Sequence, residues 1–491
     1  MTPDSRAFVN GKLANSKSNK TFDNLSPVSE DVIGQTTDCS TEDMDLAITA
    51  ARNAFDKTDW AVNHAFRLDC LTQLRDALVN DIENIRSQVK AETGSPAGIC
   101  GLQGPQCDVP ISFIDTSLEL LKNYKWGRDQ GMANFSGLES QRLIEKEAIG
   151  VVGCITPWNV PLQINLAKII PALSAGCSVV LKPAPDTPWS ATLIGAAANK
   201  TDIPNGILNI VPSSDPQNIG EQLVRDPRVD MISFTGSTAT GRTIMSHAAT
   251  TVKKVFLELG GKSANIILDD ADFSQALLSA LAVCFHAGQG CAIQTRLLIP
   301  QHRQQEVEEI LINYFKMIEY GGKNTDNHIM GPLISLTQRN RVLSYIEKGK
   351  AEGARILLGG GTPSHLEKGF YVEPTVFVDV TNDMTIAQEE IFGPVLCVIA
   401  YEDEQEAVQI ANDSIFGLSG GVWSADEARA IRVARQLRAG TVNVNGGNFY
   451  SADAPFGGYK QSGIGREMGL EGFEEYLETK TIAIARQKGE M

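Results

Sequence analysis

The sequence lacks an excess of positive charge. Its 43 lysine and arginine residues are outnumbered by 59 aspartate and glutamate residues, which gives a formal net charge of −16. Such a chain is poorly suited to a phosphate backbone or an anionic lipid surface, so we expect no nucleic-acid partner and no membrane partner. A local basic patch stays compatible with this balance.

Long apolar runs and paired cysteines are also missing. No run approaches the ~20 apolar residues that a membrane-spanning helix needs, and the first six residues contain no apolar segment typical of a secretory signal. The nine cysteines are odd in number and scattered, without a Cys-x-x-Cys pair. This pattern favours a reduced, cytoplasmic protein, and it predicts no metal site because the six histidines are scattered too.

What the chain does contain is an alternation of short apolar runs with helical patterns. This rhythm predicts an α/β fold with a doubly wound, Rossmann-type parallel sheet in the first half. A second α/β segment follows from about residue 262 to residue 438. The strands that we predict are 149–156, 178–181, 207–211, 231–235 and 255–259, and then 264–268, 297–299 and 374–380.

Two further stretches are predicted as strands outside these segments. Residues 137–149 are charged and extended, and we expect them to protrude or to pair with another subunit. Residues 478–485 alternate threonine with apolar residues, which is typical of an edge strand.

A candidate nucleophile lies in the stretch from Phe285 to Cys291. The apolar run 277–285 predicts a buried helix, and Gly288 and Gly290 then bracket a turn in which no large side chain covers the thiol. An isolated cysteine is more often a buried core residue, so the assignment depends on the surrounding motifs.

Two more segments contain polar residues at predicted strand ends. Asn159 lies in Pro-Trp-Asn-Val-Pro (157–161), where it could simply cap a helix. Glu258 begins Glu-Leu-Gly-Gly-Lys (258–262), where it could be a solvated turn residue. The apolar residues beside Glu258 instead predict burial, which raises the pKa of a carboxyl group and suits a general base.

Three further loops contain short polar motifs, and one of them has the character of a phosphate site. Thr-Gly-Ser-Thr-Ala-Thr-Gly (235–241) follows a predicted strand and opens a helix, so its backbone N–H groups can face a pyrophosphate. The others are Leu-Lys-Pro (181–183) and Glu-Glu-Ile-Phe-Gly-Pro (389–394). Each one alone could be an ordinary loop.

Taken in order, these motifs resemble those of the aldehyde dehydrogenase superfamily, from Glu92-Thr93-Gly94 to the run that ends at Gly463. The resemblance implies that Cys291 attacks an aldehyde. It also implies that the amide of Asn159 and the backbone N–H of Cys291 bind the oxyanion. Glu258 would deprotonate the thiol or the hydrolytic water, and Glu467 would join a proton relay, although a plain salt bridge would also explain Glu467.

The resemblance further implies NAD or NADP as the cofactor. Lys182 would bind the adenosine ribose, Glu390 the nicotinamide ribose, and Phe392 would pack by the nicotinamide. Many members that prefer NAD have a glutamate three residues after the lysine, where this chain has Pro185, so the choice between NAD and NADP stays open. The remaining residues assigned to the cofactor are Thr156, Trp158, Gly236, Ser237 and Gly241.

The family architecture implies the following domains. Residues 1–258 would form the cofactor-binding domain, with a bridging strand at 137–149, and residues 439–474 would return to it. Residues 259–438 would form the catalytic domain. Residues 475–491 would form an oligomerisation strand and tail, so a homodimer or homotetramer is expected.

By the same resemblance, the residues that flank the motifs line a substrate tunnel. This set is apolar and partly aromatic and contains no arginine, which predicts a hydrophobic aliphatic or aromatic aldehyde rather than one with a carboxylate. Ala167 stands where some members have a large aromatic residue, and it would widen the tunnel. The tunnel residues are Val160, Ile164, Ala167, Phe285, Ile293, Phe449, Tyr450 and Phe456.

Three alternatives remain open at this stage. The chain could pass the acyl group to coenzyme A, but the enzymes that do so commonly lack a carboxylate at the position of Glu258. It could phosphorylate the acyl group, although no dedicated phosphate site is evident. It could also be a catalytically silent binding or structural protein, since a fold does not fix a function.

Overall fold

A first sheet of eight strands organises the amino-terminal part of the protein. The structure is a computed structural model that describes residues 4–321 and 328–486. The five central strands run parallel, with short antiparallel strands at both edges. In spatial order the strands are Gly463–Ile464, Lys254–Glu258, Met231–Thr235, Val151–Ile155, Ser178–Lys182, Leu208–Ile210, Ala7–Val9 and Lys12–Ala14.

The strand order of the first sheet contains a switch point. From the strand Val151–Ile155 the chain moves outward in one direction through 178–182 and 208–210, and then in the opposite direction through 231–235 and 254–258. A crevice opens at such a point beyond the carboxyl ends of the strands, where ligands of doubly wound folds bind. The Rossmann-type, doubly wound prediction is therefore confirmed.

A second sheet of seven strands forms the other α/β unit. All neighbouring strands are parallel except the first pair. In spatial order they are Arg355–Leu358, Thr375–Val378, Val395–Tyr401, Gln294–Pro300, Ser263–Ile267, Ser419–Trp423 and Thr441–Val444. The last strand, Thr441–Val444, belongs to this sheet although it follows residue 438, where we predict the end of the catalytic domain. Its alternate side chains Val442 and Val444 pack against the apolar face of the sheet.

The two remaining sheets are small. Leu477–Ala485 pairs with Leu138–Ala148, which pairs with Gly127–Phe135 in a long hairpin. Thr21–Leu25 and Val32–Thr37 form a separate ribbon. The stretches predicted at 137–149 and 478–485 are therefore neighbours in one sheet of the same chain; residues 487–491 of the predicted tail lie outside the described residues.

Helices cover both faces of the two large sheets. Alternate residues of a strand point to opposite faces, so Val152 and Cys154 join one apolar cluster while Val151 and Ile155 join another. Among the described residues no helix combines the length and apolar character needed to cross a membrane. The α-helices are Thr41–Lys57, His64–Asn80, Ile82–Thr93, Ala97–Cys100, Asp108–Asn123, Pro161–Ala175, Trp189–Ala198, Pro216–Arg225, Thr238–Ala248, Phe273–Ala276, Gln304–Phe315, Leu336–Ala351, Thr385–Gln388, Glu404–Asn412, Glu427–Ala434 and Gly469–Glu474, and the 3-10 helices are Leu277–Gly288, Gln301–Arg303 and Lys460–Ser462.

Candidate active site

The candidate active site lies where the two large sheets face each other. The chain leaves the carboxyl end of the strand 254–258 and, four residues later, enters the amino end of the strand 263–267. Cys291 and Glu390 come before two neighbouring parallel strands, 294–300 and 395–401. The carboxyl edge of the first sheet therefore meets the amino edge of the second, which brings together residues that are far apart in sequence.

A cavity of about 770 Å³ occupies this meeting place. Cys291, Asn159, Glu258 and Glu467 all line it. Cys291 is the one cysteine of the nine that is partly exposed, whereas Cys284 and the other seven are buried. The structure thus brings the four predicted catalytic residues to one cavity.

The turn before Cys291 is built from left-handed backbone. His286, Ala287 and Gly288 have φ values of +49°, +52° and +73°, so the helix predicted for 277–285 gives way to an irregular turn. A side chain at Gly288 would overlap the carbonyl oxygen of Gly393, because the two backbones touch there. Left-handed backbone is costly outside glycine, so the surrounding contacts must hold this turn in place.

Gln289 holds the turn on one side. Its side-chain amide donates to the carbonyls of His286 (3.0 Å) and Pro332 (3.2 Å), and its side-chain oxygen accepts from the N–H of Ile334 at 2.9 Å. Its backbone carbonyl accepts a hydrogen bond from the amide of Asn159 at 2.8 Å. Gln289 therefore links the turn of the nucleophile to the predicted oxyanion donor.

Gln106 holds Asn159 from the other side. Its amide donates to the backbone carbonyl of Asn159 at 2.8 Å, and both residues are buried. The helix that follows Asn159 begins at Pro161 and ends before Gly176, whose φ of +97° gives a left-handed cap. Asn159 does not cap this helix with its side chain, so the alternative interpretation of Asn159 as a capping residue is not supported.

Glu258 is a buried carboxyl group at the end of its strand. Its Oε1 atom accepts no hydrogen bond from the described part of the chain. Burial, followed by repulsion from Glu467, raises the pKa of Glu258 to about 8. Burial, followed by the charge of Glu258, also raises the pKa of the Cys291 thiol well above its ordinary value. A carboxylate of this kind can accept a proton from the thiol or from a water molecule near pH 8.

Glu467 forms a salt bridge, which is one of the two roles that the sequence suggests for it, the other being a proton relay. Its Oε1 atom lies 2.7 Å from Nζ of Lys168, and both side chains are almost completely buried. Glu467 nevertheless lines the cavity together with Glu258. Glu467 therefore forms the ion pair with Lys168 and also lines the same cavity as the predicted base Glu258.

The loops assigned to a dinucleotide lie around the switch-point crevice. Thr156 follows the strand 151–155, Lys182 ends the strand 178–182, and Gly236 and Ser237 follow the strand 231–235. Ser237 caps the helix Thr238–Ala248 through a bond from the N–H of Thr240 at 3.2 Å. The free N–H groups of a helix start favour a phosphate.

A buried lysine adds a second feature that suits a dinucleotide. Lys182 is 3 % exposed, and its ammonium group donates to the carbonyl of Pro183 at 2.9 Å. Burial lowers the pKa of Lys182 to about 8, although the nearby carboxyl of Asp186 opposes this. An ammonium group with spare donors at a strand end can bind the hydroxyls of a ribose.

Glu390 and Phe392 reach the same region from the second sheet. Oε1 of Glu390 accepts from the N–H of Gly261 at 3.1 Å, and there is no room for a side chain at Gly260 beside this carboxyl. The rings of Phe392 and Trp158 meet edge to face at 5.4 Å. Gly241 lies on the helix after Ser237 and packs against Leu259.

Seven of the eight predicted tunnel residues line the cavity, and Ala167 does not. Ala167 lines a separate cavity of about 140 Å³ with Phe113 and Leu470. Ala167 lies about one turn beyond Ile164 on its helix, and Gln163, which donates a hydrogen bond to Tyr450, lines both cavities. The seven are Val160, Ile164, Phe285, Ile293, Phe449, Tyr450 and Phe456.

Some residues of the site were not predicted. Gln106, Gln163 and Lys168 have no place in the motifs, although Gln289 stands inside the motif of the nucleophile. Lys168 is buried in the mostly apolar helix Pro161–Ala175, and this was the one signal in the sequence, because a buried polar group requires a partner. Gln163 is only half-buried and Gln106 follows a glycine-rich stretch, so the sequence carries no such signal for them. No cluster of three or more potential metal ligands occurs among the described residues.

Comparisons with known proteins agree with this geometry. The model of the aldehyde dehydrogenase family matches residues 13–482. A curated relative from a Pseudomonas species, named 3-succinoylsemialdehyde-pyridine dehydrogenase, is 41% identical over 479 residues. The match covers 97% of this chain and 97% of the relative.

Solved structures give the same result. A mutant of aldehyde dehydrogenase C from Pseudomonas syringae, in complex with NAD+ and octanal, is 37% identical, has a TM-score of 0.90, and is matched over 98% of this chain and 96% of its own. A point mutant of betaine aldehyde dehydrogenase from Staphylococcus aureus, in complex with NAD+, is 38% identical, has a TM-score of 0.93, and is matched over 98% of both chains. The family match, the relatives and the shared fold lead to one conclusion: this chain belongs to the aldehyde dehydrogenase family.

Proposed function

We propose that this protein oxidises a neutral, hydrophobic aldehyde to its carboxylic acid, with Cys291 as the nucleophile and NAD+ as the favoured cofactor. The observation that carries the proposal is one cavity that is lined by the partly exposed Cys291, by Asn159 and by Glu258, one of whose carboxyl oxygens has no partner in the described part of the chain. These are the groups that acyl chemistry on a thiol requires.

The residues of the chain divide the reaction between them. Glu258 accepts the proton of Cys291, and the thiolate attacks the aldehyde carbon to form a thiohemiacetal. The amide of Asn159 donates to the developing oxyanion, a contact typically worth about 3 kcal/mol. Loss of a hydride leaves a thioester on Cys291. Glu258 releases the thiol proton and then deprotonates the water molecule that hydrolyses the thioester.

The dinucleotide fits the crevice of the first sheet. The switch point, the helix start at Ser237 and the buried ammonium of Lys182 support a pyrophosphate and a ribose there, and Glu390 would take the second ribose. When bound, the nicotinamide supplies the acceptor for the hydride. The NAD+ complexes of the related structures also support this choice.

Tolerance of NADP+ forms part of the proposal. Pro185 offers neither an acceptor to a ribose 2′-hydroxyl nor a charge that would repel a 2′-phosphate. Asp186 is close by, but burial raises the pKa of its carboxyl group, which weakens it as a fixed negative charge. We therefore expect NAD+ to be preferred without a strict exclusion of NADP+.

The cavity wall supports a substrate that carries no carboxylate. No lysine or arginine occurs among the described residues that line it, and Phe285, Phe449 and Phe456 contribute aromatic surface. The Pseudomonas syringae relative was crystallised with octanal, and the Pseudomonas relative is named after a pyridine-containing semialdehyde. Both compounds carry a sizeable apolar part.

The open edges of the three-stranded sheet support self-association. The strand Leu477–Ala485 pairs with 138–148 on one side, and all of its residues after Leu477 are exposed or half-exposed. An unpaired strand edge is a template for pairing with a second chain. We propose a homodimer or homotetramer in which this strand extends a partner's sheet.

A panel of aldehydes tests the proposed function. Octanal, benzaldehyde, betaine aldehyde and succinate semialdehyde are each incubated with NAD+ or NADP+, with and without coenzyme A, while the absorbance of the reduced nicotinamide is followed. We expect the first two to be the best substrates without a need for coenzyme A. A preference by orders of magnitude for betaine aldehyde or succinate semialdehyde would contradict the substrate class.

The matched control is Cys291→Ser. It replaces the thiol with a hydroxyl of similar size, which does not form a comparable nucleophile, so turnover should be lost while dinucleotide binding, measured by calorimetry, is retained. Residual turnover close to that of the unchanged protein would exclude Cys291 as the nucleophile.

A further inference from the structure

A row of buried polar groups leads away from the cavity behind Glu467. Nζ of Lys168 lies 2.7 Å from Oε1 of Glu467 and donates to the hydroxyl of Ser233 at 3.3 Å. The hydroxyls of Ser233 and Tyr476 form a hydrogen bond of 3.1 Å. The row therefore connects the cavity wall with the start of the carboxyl-terminal strand.

All four side chains are withdrawn from solvent. Lys168 and Ser233 are 0 % exposed, Tyr476 is 2 % exposed and Glu467 is 6 % exposed. The ammonium group of Lys168 also lies 4.7 Å from the centre of the Phe256 ring. A buried ammonium group stays charged only where several partners replace its water, and here these partners are a carboxylate, a hydroxyl and a ring face.

We propose that Ser233 and Tyr476 are positioning residues, which hold the ammonium group of Lys168 against Glu467 and so keep Glu467 ready to receive the proton that Glu258 collects in each turnover. This inference rests on the proposed function. Neither residue lines the cavity, so both act through Lys168. Only a proton moves in this step, from the carboxyl group of Glu258 to the carboxylate of Glu467, while Lys168 keeps its own protons.

The backbone fixes Tyr476 independently of its hydroxyl. Its carbonyl accepts from the N–H of Ile149 at 3.1 Å and from the thiol of Cys177 at 3.4 Å. Loss of the hydroxyl in Tyr476→Phe should therefore leave the ring in place. The strand of Ser233, Met231–Thr235, is paired through its backbone with a neighbouring strand on each side. Ser233→Ala should therefore remove one side-chain oxygen without altering these backbone hydrogen bonds.

Rapid-mixing kinetics with octanal and NAD+ separate this role from a structural one. The first turnover starts with Glu258 already able to accept a proton, so we expect the initial burst of reduced nicotinamide to keep its rate in Ser233→Ala and Tyr476→Phe. The steady-state rate should fall by about tenfold, because hydrolysis of the thioester in every turnover needs Glu258 to be cleared of its proton, and each variant loses a hydrogen bond of the row that holds Lys168. Ser174→Ala is the matched control, since this buried hydroxyl on the helix of Lys168 has no partner among the described residues.

The same variants are then made in a Glu467→Gln background. If the hydroxyls act through Glu467, they should cause no further loss there. Unchanged steady-state rates, a slowed burst, or a full additional loss in the Glu467→Gln background would each overturn the inference. Absence of turnover in the unchanged protein with every aldehyde would instead refute the proposed function.

Discussion

Glu258 is the residue whose environment most directly sets the working pH. Its carboxyl group is buried, one oxygen has no partner within the described part of the chain, and its pKa is raised to about 8. A general base acts in its ionised form. The raised pKa therefore moves the acidic limb of the activity to higher pH than an ordinary carboxylate would give.

We accordingly expect kcat to rise between pH 7 and pH 9 with a midpoint near 8. In Glu258→Gln, which cannot ionise, this limb should disappear along with most of the turnover. The measurement is the pH profile of kcat at saturating aldehyde and dinucleotide. A limb centred below pH 6 would show that the carboxylate is not held in the buried state described here.

Pro185 is the residue that we expect to control the choice of cofactor. Pro185→Glu would place an acceptor and a negative charge three residues after Lys182. The ratio of kcat/KM for NAD+ to that for NADP+ should then rise about tenfold or more, because a like charge beside the 2′-phosphate costs several kcal/mol. Pro185→Gln is the matched control, since it adds the acceptor without the charge and should change the ratio much less; equal ratios in all three proteins would contradict this role.

At the scale of elements, the turn before Cys291 depends on backbone contact. Gly288 combines a φ of +73° with the close approach of Gly393. Gly137, in the hairpin turn, has a similar φ of +85° with open space around it. The pair therefore separates the cost of left-handed backbone from the cost of lost space.

Gly137→Ala should lower the free energy of unfolding by about 1 kcal/mol, which is the conformational cost alone. Gly288→Ala should cost more than that and should also lower kcat, because the overlap displaces the turn that carries Gln289 and Cys291. Thermal unfolding and kcat are measured for both variants. Equal losses of stability with unchanged kcat would mean that the turn tolerates displacement.

The elements also show how far the sequence could be interpreted. The strand 231–235 was predicted at its observed limits, because an apolar run beside a glycine-rich turn has few other interpretations. In the sequence, apolar residues recur at spacings of three and four at Leu71, Leu74, Leu78, Ile82 and Ile85, which predicts one helix. Two helices form instead, 64–80 and 82–93, with a break at Asp81. The spacing of apolar residues does not reveal the break at Asp81, because the apolar residues of both helices keep the same spacing across it.

Most motif residues came together as predicted, because parallel strands place their ends on common edges. Ala167 was misplaced because the position along a helix decides which cavity a side chain reaches. The hydrogen bond from Gln106 to Asn159 joins residues 53 positions apart, and the one between the hydroxyls of Ser233 and Tyr476 joins residues 243 positions apart. No local pattern encodes contacts over such distances.

At the scale of the whole molecule, the three-stranded sheet is the expected route to self-association. Successive N–H groups of a strand point to opposite sides. Of Thr481 and Ile482, one therefore donates toward the strand 138–148 and the other toward the open edge.

Proline removes the N–H at either position. One of Thr481→Pro and Ile482→Pro should keep the thermal stability of the protomer and yet shift the sedimentation mass toward 53.0 kDa. The other variant should lose stability, since it breaks the bond to 138–148. If neither variant changes the mass of the assembly, the open edge is not the interface.

The reaction depends on a covalent bond between the substrate and the sulfur of Cys291. The most direct test is mass spectrometry of the unchanged protein, quenched with acid during the first turnover after mixing with octanal and NAD+. Because the thioester forms before it is hydrolysed, the peptide that contains Cys291 should carry an octanoyl group once reduced nicotinamide has formed. Formation of reduced nicotinamide with an unmodified Cys291, or with the acyl group on another residue, would contradict the account.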